Sequence, residues 1–293
     1  MKKLLIIGCG DVVRRALPVL VRRWRVFALV REPDAALRAL GVVQLRGNLD
    51  DPASLQRLAG LADAVIHSAP PPDTGSDDPR TRRLIAALRQ GKSLPRRLVY
   101  ISTSGVYGDC GGARFTEVRA THPASARARR RVAAETLLRR FGRESACSVA
   151  ILRAPGIYAA DRLPLERLRK GTPVFRADED SYTNHIHAED LAAACVAALE
   201  RGRPNRVYHA SDDSDLPMGE WFDSLADAFG LPRPPRLSRA DAQSVISPML
   251  LSFMNESRRL DNQRLKQELG LRLRFPTVHD GIRDALENSN ALA

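Results

Sequence analysis

The chain has 293 residues and a formal net charge of +12, and it is 44% hydrophobic, 5% aromatic and 27% charged. That apolar fraction excludes a disordered chain, and no apolar run approaches the roughly 18 residues a membrane-spanning helix needs. The length suits one large domain or two unequal lobes around a substantial core.

The basic excess is almost all arginine, 41 Arg against 5 Lys, and it is spread along the whole chain. A nucleic-acid binder concentrates its cations on one face, with aromatics beside them for single strands. Nucleic acid is therefore not the expected main partner; a small molecule is, and an anionic one stays open. The four cysteines, Cys9, Cys110, Cys147 and Cys195, form no CxxC pair and read as buried free thiols of a reducing compartment. The apolar run Leu4-Leu5-Ile6-Ile7 breaks at Gly8 without a cleavage site, so the chain reads as cytoplasmic.

In chain order, 3–8 is a short continuous apolar run, as in a buried parallel strand. Residues 11–22 place Val12, Leu17 and Leu20 at helical spacing. Strands are expected at 25–30, 42–45, 62–67, 97–102 and 148–153, with helices at 34–40, from 51, at 80–89 and at 123–141 between them. Such alternation with short links predicts an α/β fold, a doubly wound parallel sheet with right-handed crossovers. After Tyr158 the pattern changes. Residues 161–183 mix short elements, 189–199 is helical and 206–209 is one more strand. Helices follow near 218–229, 257–269 and 277–287, and the proline-rich stretch 231–235 is a rigid connector. The expected organisation is a nucleotide-binding domain of 1–160 completed by 184–212. A smaller, mostly helical substrate lobe of 213–293 takes in 161–183, with a cleft between the two.

Gly8-Cys9-Gly10-Asp11-Val12-Val13 follows the first strand and opens the first helix, the context a dinucleotide fingerprint requires. Gly8 permits the tight turn. Gly10 lets the backbone approach a pyrophosphate that the helix N-terminus attracts. Val13 stands where a third glycine serves helix–strand packing. Asp11 adds a negative charge near the phosphates. The alternative is a plain turn without a ligand. At the end of the second strand stands Arg31, where NAD binders carry an acid; an arginine there pairs with a 2′-phosphate and favours NADP, while Glu32 keeps NAD possible.

Later segments carry a resemblance. Gly47-Asn48-Leu49-Asp50, Asp63 to Pro70 (ending His67-Ser68-Ala69-Pro70), Tyr100-Ile101-Ser102-Thr103-Ser104-Gly105-Val106-Tyr107-Gly108, Leu152 to Tyr158 with Pro155-Gly156-Ile157, and Asn184 to Leu191 occur in order. Leu260-Asp261-Asn262, Glu268-Leu269-Gly270 and Phe275-Pro276 complete the series. Together they resemble the extended or atypical branch of the short-chain dehydrogenase/reductase superfamily, the NAD-dependent epimerase/dehydratase type, over nearly the whole chain. The resemblance implies a Rossmann-type fold and an NAD(P)-dependent oxidoreductase or sugar-nucleotide-epimerase-like activity. It assigns cofactor contacts to Gly8, Cys9, Gly10, Asp11, Val12, Arg31, Asn48, Leu49, Ser68, Ala69, Pro70, Pro155, Gly156 and Ile157.

One departure stands out. The family's catalytic helix carries Tyr and Lys four residues apart, and no tyrosine in this chain has lysine four residues on. Aligning Val132 to Glu135 with the family's continuation puts Arg127 at the tyrosine and Arg131 at the lysine. Both would share one helical face. Arginine keeps its proton, since its pKa stays above about 12. Arg131 can still hold ribose or phosphate oxygens, and Arg127 can polarise a carbonyl or carboxylate. A solvated basic helix face is the alternative. Thr103 occupies the family's Ser/Thr position. If hydride chemistry persists, another acid is needed; Tyr107, His122, His185 and His187 are candidates on residue type, with a structural hydrogen bond the plainer reading of each histidine. No metal site is expected from the His and Cys spacing. A non-catalytic, cofactor-binding sensor is the rival reading.

Overall fold

Strands that are apolar on both faces form the centre of the fold, because each face is covered by helices. The computed structural model describes residues 1–290. In chain order the central elements are β1 (Lys3–Ile7), α1 (Asp11–Arg23), β2 (Arg25–Val30), α2 (Ala35–Ala39), β3 (Val43–Arg46), β4 (Ala64–His67), α3 (Pro79–Arg89) and β5 (Arg97–Thr103). They continue with α4 (Ala126–Ser145), β6 (Ser148–Ala154), α5 (Ala188–Arg201) and β7 (Arg206–His209). The strands form one sheet in the order β7-β6-β5-β4-β1-β2-β3, and every pairing is parallel.

Successive side chains of a strand point to opposite faces. Leu4 and Ile6 join Val26 and Ala28 in a core beneath α1 and α5. Leu5 and Ile7 join Phe27 and Tyr100 in a second core beneath α3 and α4. Leu17 and Leu20 of α1 are fully buried, each contributing about 2 kcal/mol by removal from water. The chain leaves β1 across one face and enters β5 from the other. The order therefore reverses between β1 and β4, and ligands of such sheets bind outside the carboxyl ends of the strands there.

The first half matches the expected alternation, with the segment Pro52–Leu58 wound as a 3-10 helix. The Asp51 carboxylate accepts from Ala53 N at its start. Beyond the sheet, Tyr158, Leu168, Val174, Trp221, Phe222, Leu225, Val278 and Ile282 form a further apolar centre. The last three residues of the expected second lobe, 291–293, lie outside the described residues.

The structure differs from expectation around 239–262. Two short helices, Arg239–Val245 and Pro248–Met254, occupy a stretch where none was expected. Ser238 accepts from Asp241 N and Ser247 from Leu250 N at their starts, so capping nucleates helices too short to show a period. The helix expected from 257 begins only at Gln263, after a strand at Arg259–Leu260. The Asn184 side chain explains this. Its Nδ2 donates to Arg258 O at 2.7 Å and its Oδ1 accepts from Leu260 N at 2.8 Å. On its other edge this stretch pairs with Arg114–Phe115, Arg259 N donating to Ala113 O and Asp261 N to Phe115 O, both at 3.0 Å, so 258–260 is held extended from two sides.

Candidate functional site

The turn after β1 is built by close backbone contact. Ser68 N and Ala69 N both donate to Ile7 O, at 2.8 and 3.0 Å, and the Ser68 hydroxyl donates to Gly8 O. Gly8 has φ +87°, and a Cβ there would lie 2.4 Å from Ala69 N. Gly10 is the N-cap of α1 and makes no side-chain cap. A Cβ on Gly10 would meet no protein atom within 4 Å. The first amides of α1 therefore face open space, the geometry of an anion cradle. The charge of Asp11 is tied down there. Its carboxylate accepts from Arg15 at 3.0 Å and Arg162 at 2.9 Å. Burial alone would raise this carboxyl, but the two arginines outweigh it and hold it below its ordinary range. Val13, at the third glycine position, is buried in the α1 core. The Cys9 thiol is pushed up to about 11, mainly by burial, so it stays protonated at neutral pH.

Two adjoining cavities share Gly8, Gly10, Ala69 and Pro70. One, of about 670 Å³, runs along β2 and β3 past Cys9, Arg31, Asn48 and Leu49. Arg31 is exposed on its wall. Two arginines that sequence reasoning did not single out line it as well. Arg14 is ion-paired with Asp34, and Arg80 holds Asp50 through two contacts of 2.9 and 2.6 Å. Asn48 shapes the turn, its Oδ1 accepting from Asp50 N at 3.0 Å.

The other cavity, of about 720 Å³, is lined by Asp11, Val12, Ser68, Thr103, Arg127, Arg131, Pro155 and Ile157 among others. Of the residues expected to contact a cofactor, Gly156 is on neither wall. Its amide donates to Asn184 O at 3.2 Å, where Gly156–Tyr158 pairs with His185–His187.

The catalytic-position residues do converge on this cavity. Thr103 ends β5, and its Oγ1 accepts from Gly105 N at 3.2 Å. Ser125 caps α4, accepting from Ala128 N, which starts the helix one turn before Arg131. Arg131 Nη1 donates to Tyr100 Oη and to Ile101 O, both at 3.0 Å. The Tyr100 hydroxyl is pushed up to about 12 by burial, against the opposing pull of Arg131. Arg127 stacks on Phe253, its guanidinium carbon 4.0 Å from the ring centroid. Burial lowers its pKa from the ordinary arginine value. Arg130, which the sequence did not single out, also lines the cavity and donates from Nη1 to Gly75 O at 2.7 Å.

None of the four residues considered as replacement acids lines this cavity. The Tyr107 hydroxyl lies 2.6 Å from both Arg153 Nη1 and His209 Nε2. It is buried, and burial raises its pKa. His185 packs against Trp221 with ring centroids 4.5 Å apart, and burial takes it down to about 3. His187 Nδ1 accepts from Glu189 N at 3.3 Å and caps α5. His122 is exposed at the surface. The carboxylates on the wall are Asp11 and Asp73. Asp73 sits in the proline-rich loop after β4, where only its place beside Pro70-Pro71-Pro72 could have drawn notice. Behind the wall, the buried Glu135 accepts from Ser102 Oγ at 2.6 Å and from Arg153 through Nε and Nη2 at 3.0 and 2.6 Å.

A family profile described as NAD(P)H-binding matches residues 8–202. Over 187 residues the chain is 25% identical to an Arabidopsis thaliana trifunctional UDP-glucose 4,6-dehydratase/UDP-4-keto-6-deoxy-D-glucose 3,5-epimerase/UDP-4-keto-L-rhamnose reductase. That match takes in 59% of this chain and 26% of that protein, so this chain spans only about a quarter of that relative. It is 27% identical over 267 residues to the 2-alkyl-3-oxoalkanoate reductase of Stenotrophomonas maltophilia, covering 79% of this chain and 77% of the reductase. Among solved structures, a conserved protein of unknown function from Silicibacter pomeroyi DSS superposes with a TM-score of 0.79 at 28% identity, over 99% of both chains. The glycine turn at the switch point of a Rossmann-type sheet and the match across two thirds of the chain agree: the protein belongs to the NAD(P)H-binding family and is related to the NAD-dependent epimerases, dehydratases and reductases of the short-chain dehydrogenase/reductase type.

Proposed function

We propose that the protein is an NADP-dependent oxidoreductase acting on a small carbonyl compound or its alcohol, with an altered catalytic acid. The observation that carries this reading is the pair of adjoining cavities joined at Gly8 and Gly10, with Arg31 on one and Thr103, Arg127 and Arg131 on the other. The open space at Gly10 and the uncapped amides of α1 fit a pyrophosphate. Arg31 fits a 2′-phosphate. Ser68, Ala69, Pro155 and Ile157 would bound the nicotinamide end, and Arg131, fixed by Tyr100 and Ile101, would hold ribose oxygens. A nicotinamide bound there supplies or accepts a hydride. The Thr103 hydroxyl would hydrogen-bond the substrate oxygen, and the nearby guanidinium of Arg127 would stabilise negative charge developing on it. Because arginine does not release its proton, the tyrosine's acid role has no counterpart at position 127, and the proton that completes the alcohol would come from water in the cavity. Residues 161–183 and 213–290 would form the lobe that selects the substrate. A reductase among the relatives, aligned over 79% of this chain, supports reduction of a carbonyl.

Titrating the protein with NADPH and with NADH, followed by cofactor fluorescence, tests the reading. Saturable binding with NADPH the tighter ligand is expected; no binding at millimolar cofactor overturns it. A second reading, a cofactor-binding sensor without catalysis, is favoured by one observation: none of Tyr107, His122, His185 and His187 lies on the cavity wall. Steady oxidation of NADPH by an aldehyde, ketone or sugar nucleotide, abolished by Gly10→Asp, excludes it.

A further inference from the structure

The arginines around the two cavities divide into two groups. Arg14, Arg80 and Arg162 are each ion-paired with an aspartate, Asp34, Asp50 and Asp11 respectively; Arg31, on the β2–β3 cavity, is exposed and has no ion-pair partner among the described residues. Arg127, Arg130 and Arg131 have no carboxylate partner among the described residues. They occupy consecutive turns of α4 and line the same cavity. The acid nearest in its influence on Arg127 is Glu256, but its carboxylate is held by Arg258 at 2.6 Å. Three cations thus line one concave space without a paired carboxylate among the described residues; of the acids on its wall, Asp11 is held by Arg15 and Arg162, and Asp73 is the opposing charge.

Their donors are not equally available. Arg131 has Nη1 occupied by Tyr100 and Ile101, and Arg130 has Nη1 occupied by Gly75. Arg127 donates no hydrogen bond among the described residues. Its contact is with the face of Phe253. Stacking of this kind uses the flat face of the guanidinium and leaves the in-plane N–H groups free, while restricting the rotation of the plane. Half-buried, oriented and unpaired, such a fork matches a planar carboxylate through two parallel hydrogen bonds. Phe253 lies against it, and the same cavity carries the apolar side chains of Ile101, Ala154 and Ile157 beside polar ones.

We propose that the substrate is an oxo- or hydroxycarboxylate carrying a short apolar body, and that Arg127, set by Phe253, is the specificity-determining contact of its carboxylate, with Arg130 and Arg131 adding charge. This rests on the oxidoreductase reading and adds the substrate class. The substitution at the tyrosine position then has a purpose of its own: it converts an acid/base position into an anion reader. The cofactor's phosphates are the rival anion, but their cradle is at Gly8 and Gly10, at the junction of the two cavities rather than on the wall of α4.

Isothermal titration of the full-length protein with hexanoate, hexanamide and inorganic phosphate, each with and without saturating NADPH, tests this. Hexanoate is expected to bind saturably, and hexanamide at least about tenfold more weakly, as loss of a charge-assisted pair implies. Arg127→Gln should weaken hexanoate by about tenfold or more while leaving NADPH affinity within about twofold. Phe253→Ala should weaken hexanoate in the same direction, with NADPH again unchanged. Equal binding of hexanamide, no saturable binding of hexanoate, or phosphate displacing hexanoate in an Arg127-dependent way overturns the carboxylate class. Loss of NADPH affinity in Arg127→Gln overturns it as well, assigning the arginine to the cofactor. Failure of the wild-type protein to bind NADPH, with hexanoate binding intact, removes the oxidoreductase reading and leaves the carboxylate site standing.

Discussion

Gly8 and Ala69 approach so closely that no side chain fits between them: a Cβ on Gly8 would sit 2.4 Å from the Ala69 amide nitrogen. Gly10, two residues on, has the opposite surroundings, with no protein atom within 4 Å of an added Cβ. The two glycines of one turn should therefore fail differently. Gly8→Ala should cost about 2 kcal/mol or more, because it adds a backbone clash to a positive φ. Gly10→Asp should leave the melting temperature unchanged and lower NADPH affinity by at least about tenfold through bulk and charge in the cradle. Thermal melts beside fluorescence titrations of both variants check the contrast. A Gly10→Asp protein that melts early would show that this space belongs to the fold rather than to a ligand.

Arg31 lies on the wall of the β2–β3 cavity without an ion-pair partner among the described residues, while its neighbour Glu32 pairs with Arg46 at 3.4 Å. Arg31→Ser should weaken NADPH by about tenfold, the size of one charge-assisted contact, and leave NADH within about twofold. The ratio of the two dissociation constants is the measurement. If both cofactors weaken together, Arg31 acts on the part they share and not on the 2′-phosphate.

The sheet was legible because its strands are buried on both faces and so appear as unbroken apolar runs at 4–7, 26–30, 98–101 and 149–152. The glycine turn was legible because its two glycines fall between an apolar strand run and the start of an amphipathic helix. The region 239–262 was not. Helices of seven residues show no period, and the extended stretch 258–260 is held by Asn184 and by pairing with Arg114–Phe115, both more than seventy residues earlier. The same limit applied inside the site. Residue type made Tyr107, His185 and His187 plausible acids, but only tertiary contacts reveal that each is enclosed elsewhere. Arg130 was missed because a solvated arginine and a cavity-lining one look alike in sequence, and Phe253 because it stands on the short helix Pro248–Met254.

Glu135 and Arg153 form a two-contact ion pair whose side chains are 4% and 5% exposed. Ser102, next to Thr103, and Tyr107 complete the network. Breaking one half strands a buried charge, so Glu135→Leu should cost about 3–5 kcal/mol. Glu135→Leu combined with Arg153→Met removes both charges and should recover most of that loss. Urea denaturation of the wild type, the single variant and the double variant measures it. A single variant costing less than about 1 kcal/mol would mean that the pair behaves like an exposed one.

His185 supplies a pH signature that can be isolated by comparison. Its ring is buried between Tyr158 and Trp221, its Nδ1 has no hydrogen-bond partner among the described residues, and burial lowers it from 6.5 to about 3. Asp212 packs on its backbone, donating N–H to His185 O at 2.7 Å, and is itself raised well above the usual carboxylate range by burial. A base whose folded pKa is depressed contributes its full stability above the unfolded value of 6.5 and loses it as the pH falls toward 3, because only the unfolded chain takes up the proton. Asp212 acts in the opposite direction, since a carboxyl raised in the folded state holds its proton there and favours folding as the pH falls. The total slope therefore mixes signs, and the informative quantity is a difference. His185→Phe keeps the aromatic packing and removes the titration. Relative to wild type, its stability should improve as the pH falls below 6.5, by up to about 1.4 kcal/mol per pH unit. Urea unfolding of both proteins at several pH values between neutrality and the onset of acid unfolding gives this difference directly. A difference that stays flat across that range would mean that the folded His185 ring accepts its proton as readily as the unfolded one.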